Sequence, residues 1–389
     1  MRILKRQFLR NFVFSMLLSF SVAAFLAPAS CRLTEEGIEI IDADTTAPSL
    51  TLFRSLGESL LLLQCSERVW LSDLFVVEQD GDDFDDLFDR RYEKIFAVAS
   101  AINYSSDGKS AQIEISEPTS VGKAYLLFGK ASDLSGNSLD FCQRFSGFNP
   151  EPAVLIFNEI RTTYNKSKQA VEFVEFYVLG KGNTFGLEYV SAANGEDKKY
   201  VFPPLEVKNG DYITLHGRIL EGMEADAVDE LDDNLALSKA YESCDTARDL
   251  WRAGSDKIVS NTDVVILRDT FTNEIKDAVL LSAAGKTNWT NNRMKDFSAE
   301  AFSLGIWDGG SSPEYAVCTE GMSSSVARSI SRKNTAELSH RCAADGEGAS
   351  RIKNSASDWM VTDSQKINSV TLSGATPGYE NSKNPFIAK

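Results

Sequence analysis

Along most of the chain the apolar residues fall in short alternating or continuous runs, each cut off by Gly, Asn, Asp or Pro, and helical periodicity is nearly absent. Ser49–Phe53, Ser59–Cys65, Ala111–Ser116 and Ala124–Ala131 read as strands, and Leu74–Ala101 as a helix or a strand pair. Val154–Ile160 is an apolar strand carrying the polar pair Asn158-Glu159, and Phe173–Tyr177 a second one. Runs of this length with this punctuation are the pattern of sandwiches and barrels, so the spacing predicts an all-β chain. With 359 residues beyond Ser30, more than one core is expected.

The N-terminus breaks the pattern. Arg2, Lys5, Arg6 and Arg10 precede an uncharged apolar run, Phe12 to Leu26, which is followed by Ala27, Pro28, Ala29, Ser30 and Cys31. At 15 residues the run is shorter than the roughly 20 needed to span the hydrocarbon core, so it reads as an export signal. The arrangement resembles a bacterial lipoprotein signal, with Pro28 standing where Leu is usual. The resemblance implies removal of residues 1–30 and acylation of Cys31. A secretory signal cut near Ala29 or Ser30, leaving an incidental thiol, is the alternative. Each buried CH₂ of an acyl chain contributes about 0.8 kcal/mol, so a multiply acylated Cys31 would hold firmly to a membrane.

Residues 31–47 read as a tether, 48–148 as a first domain, 149–153 as a Pro-rich linker, 154–381 as a second domain and 382–389 as a tail. Asp44-Thr45-Thr46-Ala47-Pro48, Ser66-Glu67-Arg68-Val69 and Asp133-Leu134-Ser135-Gly136-Asn137 resemble the opening, post-strand and closing signatures of bacterial Ig-like domains. In the second domain Asn158-Glu159-Ile160, Val174-Glu175-Phe176-Tyr177, Asp263-Val264-Val265, Asp277-Ala278-Val279, Ser329-Ile330-Ser331-Arg332, Asp358-Trp359 and Thr376-Pro377-Gly378 with Asn381 resemble, in order, the landmarks of the lamin-tail domain. Together these imply two tandem Ig-like β-sandwiches, the second of lamin-tail type with long insertions near 220–257 and 283–325. The first insertion holds ten acids between Glu221 and Asp249 against Lys239 and Arg248, and could be helical or disordered; the second holds Trp289 and Trp307. Loops on a rigid sandwich are where binding usually resides, so the insertions are the favoured contact surface.

Charge and side-chain chemistry then narrow the function. Forty Lys and Arg stand against 56 Asp and Glu, a net of −16 that becomes −20 once the four basic residues of the leader are gone. Phosphate binding draws on Lys and Arg, so nucleic acid is an unfavoured partner. The two histidines, His216 and His340, form no triad or three-ligand metal set, and no G-x-S-x-G, P-loop or H-E-x-x-H motif occurs. His340 is expected in a polar loop, and both histidines in structural or surface roles. Cys65 with Cys142 and Cys318 with Cys342 are possible disulfides, leaving Cys244; Cys244 could equally pair with Cys318 or Cys342, and buried free thiols are the alternative. Asp80, Asp82 and Asp86 are weak Ca²⁺ candidates, because Phe84 fills a ligand slot and Arg91 stands where a closing Glu is needed. Otherwise no metal and no cofactor is expected. Glu159 and Glu175 read as framework residues. The sequence thus points to a lipid-anchored, non-enzymatic protein of the bacterial cell envelope, at the outer membrane or periplasmic face. It would meet the membrane through its N-terminal lipid and an unidentified protein or glycan through its β modules. An exported hydrolase using carboxylates such as Glu175 is the alternative.

Overall fold

The computed structural model describes residues 31–34, 37–40, 44–79, 91–195, 198–345 and 352–388. The leader, and the acids Asp80, Asp82 and Asp86, lie outside the described residues. The chain is all-β, with two helices longer than a turn among the described residues. None is long and apolar enough to cross a membrane.

The expected tether begins with a short hairpin, β1 (Cys31–Thr34) with β2 (Gly37–Ile40). The first large unit then runs through β3 (Leu50–Gly57), β4 (Leu60–Cys65), β5 (Trp70–Glu78), β6 (Ile95–Tyr104), β7 (Ser110–Ile115), β8 (Ala124–Ser132) and β9 (Ser138–Ser146). The stretch left open between helix and strands is the pair β5 and β6. All seven strands form one antiparallel sheet in the order β3-β4-β7-β6-β5-β8-β9. Strand β6 pairs with β5 through its first residues and with β7 through its last. The sheet therefore turns a corner there, and its edges approach where Ser55 Oγ donates to the Ser146 carbonyl at 3.5 Å. Alternation decides what goes inside: Ala111, Ile113 and Ile115 of β7 are buried, while Gln112 and Glu114 face out.

The second unit has two sheets. One carries β10 (Val154–Arg161), β11 (Phe173–Gly180), β16 (Tyr212–His216), β17 (Ala247–Trp251), β21 (Ile330–Arg332) and β22 (Trp359–Val361), in the order β17-β16-β11-β10-β21-β22. The other carries β13 (Leu187–Ser191), β14 (Tyr200–Val201), β18 (Asp263–Asp269), β19 (Ile275–Ser282) and β20 (Val317–Cys318), in the order β14-β13-β18-β19-β20. Small ladders join β12 (Gly182–Asn183) to β15 (Glu206–Val207) and β23 (Gln365–Ile367) to β24 (Val370–Leu372). Phe157, Phe176 and Ile213 of the first sheet share a core with Tyr189, Ile266 and Val279 of the second. The central strands β10 and β11 are buried on both faces, because Leu338 of helix α2 (Thr335–Asp345) packs on Ile156 and Leu179 behind the sheet.

Both insertions are woven into this frame. The acid-rich one is neither helix nor loose chain in its described residues: it supplies the edge strand β17, parallel to β16. Its acids seal that edge, with Glu230 accepting from the Asp249 N–H at 2.9 Å and Asp229 from the Trp251 N–H at 2.6 Å. Occupied N–H groups give another chain nothing to pair with. The second insertion holds helix α1 (Asn292–Ser303), where Asn291 caps the first turn by accepting from the Met294 N–H at 2.8 Å. Met294, Phe297 and Ala301 then fall on the buried face at helical spacing. His340, expected in a loop, lies exposed on α2.

Candidate functional site

The buried charges of the second unit sit where its strands are most enclosed. Glu159 and Glu175 are direct cross-strand partners on β10 and β11, and both are fully buried. Ser329 and Ser331 of β21 and its lead-in donate their hydroxyls to Glu159, and the Thr376 N–H donates to it at 3.0 Å. Glu175 accepts from Asn158 Nδ2 at 2.6 Å, from Thr214 Oγ1 at 3.4 Å and from the Gly378 N–H. The segment Thr376-Pro377-Gly378 is thus a strap laid across two carboxylates. Burial pushes Glu159 up to about 7 against the hydrogen bonds from Ser329 and Thr376, and pushes Glu175 well above the usual carboxylate range, helped by the Glu159 charge.

Glycine is required at the strap's tightest point. Gly378 has φ of +79°, and a Cβ there would lie 2.2 Å from Cys244 Sγ. Cys244 in turn accepts from Thr246 Oγ1 at 3.2 Å and donates to the Pro377 carbonyl at 3.6 Å. Beside it, Glu242 is held by the buried guanidinium of Arg161. One strand, β10, therefore anchors both the loop at Tyr241–Cys244 and the strap.

Between that loop, the β23–β24 hairpin and the strap opens a groove of about 640 Å³, rimmed by the half-exposed rings of Tyr241 and Tyr379 and by Gln365, Leu372 and Lys383. A second cavity of about 370 Å³, over Asn158, Tyr177 and Tyr212, lies on the other side of the strap. Glu380, Asn381, Ser382 and Lys383 line both. Ile367, Val370 and Leu372 stand exposed on the hairpin beside the groove.

The cysteines stay apart. Cys65, Cys142, Cys244, Cys318 and Cys342 are all free thiols, so neither expected pair, Cys65 with Cys142 or Cys318 with Cys342, is formed here. Cys65 points into the main core of the first unit, whereas Cys142 packs with Phe75 and Phe128 in a separate cluster. Cys318 is exposed at the end of β20, and Cys342 packs beside Ile156 and Leu179. Burial, then Glu67, pushes the Cys65 thiol up, which lowers its reactivity. For Cys31 the backbone alone is described, at the start of β1.

One convergence lay hidden in three separate motifs. Asp44, Glu67 and Asp133 bring one carboxylate oxygen each to within 4.8 Å of one another, a donor set of the kind that suits a hard cation. Asp133 already accepts from the Ser135 and Asn137 N–H groups at 2.8 Å and from Asn137 Nδ2 at 2.8 Å, which accounts for the burial of its carboxyl. His216 is structural: it is buried, 2.8 Å from Asp249, and stacked on Trp251 with centroids 3.9 Å apart. Tyr241 and Glu242 were not singled out by sequence pattern, and Cys244 was weighed only as a disulfide partner; the signal was the Thr376-Pro377-Gly378 motif, whose counterpart is more than a hundred residues away.

A protein of Treponema pallidum (strain Nichols) described as uncharacterized is 28% identical over 197 residues, covering 48% of this chain and 48% of that one. The chain therefore spans about half the length of that curated relative. Among solved structures, the N-terminal part of the bacterial S-layer protein SbsC is 12% identical at a TM-score of 0.23, covering 61% of this chain and 44% of that one. Domains 1–6 of surface layer protein SbsC are 11% identical at 0.22, over 63% and 42%. Likenesses of that size carry no argument about fold or role. Residues 153–361, more than half of the chain and the whole of both sheets that enclose the carboxylate pair, match the family TP_1001_2nd, described as a protein second domain, and the chain belongs to that family.

Proposed function

We propose that this is a lipid-anchored, non-enzymatic protein of the bacterial cell envelope whose second, lamin-tail-type unit binds a protein or glycan partner in the groove beside the strap. The observation that carries the reading is the groove itself: two half-exposed tyrosine rings and several amide and hydroxyl groups face solvent around about 640 Å³. Rings with one apolar face and one polar tip suit contact with partners of mixed polarity. Acylation at Cys31 would hold this surface outside the cytoplasm, and the net charge of the chain without its leader supports solubility there.

The hydrolase alternative has less support. The oxygens of Glu175 are taken up by Asn158, Thr214 and Gly378, so no face of that carboxylate is presented to a substrate in the closed strap. The test is to present envelope glycans and polypeptides to the full chain and to its Tyr241→Ala/Tyr379→Ala variant. Saturable capture that weakens about tenfold or more in the variant, with ligand recovered intact, is expected. Cleaved ligand, with turnover abolished by Glu175→Gln, would replace the binding reading with the hydrolase. Mass spectrometry of the native N-terminal peptide tests the anchor: an unmodified Cys31 would remove it.

A further inference from the structure

We infer that Ser373–Lys383 is a proton-latched wall, which closes over Glu159 and Glu175 while that pair retains a proton and lifts, joining the two cavities beside it, when both carboxylates are ionised. Its functional meaning rests on the groove proposed above, whereas its physics does not.

Geometry carries the argument. Glu159 and Glu175 face each other across β10 and β11, and among the described residues neither forms an ion pair. Arg161, the nearest guanidinium, is spent on Glu242 and on the Val171 and Val326 carbonyls. Two adjacent buried anions lose more hydration than the strap N–H bonds return. One retained proton relieves this, and the hydroxyls of Ser329, Ser331 and Thr214 can turn to accept it. Losing that proton leaves water as the remaining remedy.

Water can enter where the enclosure is weakest. Strands β10 and β11 are paired on both sides, β10 by β21 and β11 by β16. The strap has no such ladder over the acids and is held by separate bonds: Gly374 and Ala375 N–H to the Ala327 carbonyl, the Ser329 and Thr362 hydroxyls to the Gly374 carbonyl, Cys244 Sγ to the Pro377 carbonyl, and Asn381 Nδ2 to Asn158 and to the Arg332 carbonyl. Thr376 and Pro377, which cover the acids, line the first cavity, Asn158, which donates to Glu175, lines the second, and Glu380 to Lys383 line both, so lifting the whole segment joins the two cavities.

The other groups facing the pair do not substitute for it. From β16, Tyr212 is pushed up to about 12 by burial and then by Glu175, and Cys244 in the neighbouring loop is pushed up by burial; both stay neutral near pH 7. Tyr177 of β11 is bonded to Ser339 Oγ at 3.2 Å. On the strap, Glu380 is paired with Lys383 at 2.8 Å, and in the Tyr241–Cys244 loop Glu242 is paired with Arg161.

Hydrogen exchange of the Thr376 and Gly378 amides in the full chain, followed from pH 5 to 8 without any ligand, tests the latch. Opening that releases one proton raises its equilibrium constant about tenfold per pH unit, so exchange should climb ~100-fold per unit between about pH 5 and 7, where base catalysis alone gives ~10-fold. Glu159→Gln/Glu175→Gln should return these amides to ~10-fold per unit. A wild-type slope already at ~10-fold overturns the latch without reference to any variant. If the double variant does not fold, Glu159→Gln serves, and a slope as steep as wild type there also overturns it. Neither outcome bears on whether the groove binds a partner.

Discussion

The first unit surrounds hydrocarbon and, Asp133 apart, leaves its described acids at the rim, whereas the second encloses charge. Leu61, Leu63, Val76, Ile113 and Leu127 fill the one; Glu159, Glu175, Arg161, Arg332, Asp277 and Asp263 lie fully buried in the other. Burying apolar area at about 25 cal/mol per Å² stabilises a fold regardless of pH. A buried charge stabilises only while its partners and protonation state are right, so between pH 5 and 8 the second unit is conditional where the first is not. That difference places anything responsive in that range in the second unit.

The largest expected effect sharpens this contrast. Arg332 donates Nε to the Phe157 carbonyl at 2.6 Å and pairs with Asp277 at 3.2 Å, both side chains being fully buried, with Asn354 bridging them. Arg332→Leu leaves Asp277 buried without its cation, and a loss of about 3–5 kcal/mol is expected by urea denaturation. Next, Leu63→Ala in the first unit should cost about 2–5 kcal/mol through the cavity it opens. Its cost should be the same at pH 5 and pH 8, whereas that of Arg332→Leu should vary with the charge of the acids around it. Equal pH dependence in the two variants would break the comparison.

Titration without mutation comes third. Glu159, raised to about 7, and Asp263, raised to about 6 by burial against bonds from Ser191 and Ala193, both have folded values above their unfolded ones. Their contribution is fully present below the unfolded values near 4 and is lost as pH rises through 6 to 7. In the first unit the sign reverses. Asp107 is lowered by hydrogen bonds from Ser105 and Lys109; Asp133 is lowered too, where bonds from Asn137, Ser135 and Gly136 overcome the desolvation of its carboxyl. Their contribution is present above the ordinary aspartate value near 4 and is lost as pH falls below it. Thermal unfolding followed by probes in each unit should show the second gaining stability from pH 7 to 5 while the first is flat, and the first losing stability below about pH 4.

The all-β architecture was legible because alternation is a local property: Ala111, Ile113 and Ile115 announce their face within six residues. The fate of the acids was not local. Glu159 and Glu175 are visible as motif residues, but what buries them is a strap some two hundred residues on, and nothing in either segment states that they meet. Asp44, Glu67 and Asp133 likewise occupy three recognisable motifs whose convergence only the curled sheet produces. The cysteines were undecided for the same reason. Five beyond Cys31 left pairing and free thiols both open, because which side of a sheet a thiol faces, and which cluster it joins, depends on a register that composition does not carry. The acid-rich insertion was misread because its charges suggest solvent, while Asp229 and Glu230 serve as hydrogen-bond acceptors along the edge of β17.

The smallest effect asks whether polar groups at the margin of the second unit behave like those inside it. Asn291 accepts from the Met294 N–H and donates to the Ala192 carbonyl at 3.1 Å, tying the start of α1 to the loop after β13. It is uncharged and partly exposed, so water can replace what a substitution removes. Asn291→Ala should therefore cost about 0.5–2 kcal/mol, the usual worth of a helix cap, with no dependence on pH between 5 and 8. Chemical denaturation at the two ends of that range reads both quantities. A pH-dependent loss would mean that the insertion is coupled to the buried acids after all, and the line between conditional interior and unconditional margin would have to be redrawn around α1.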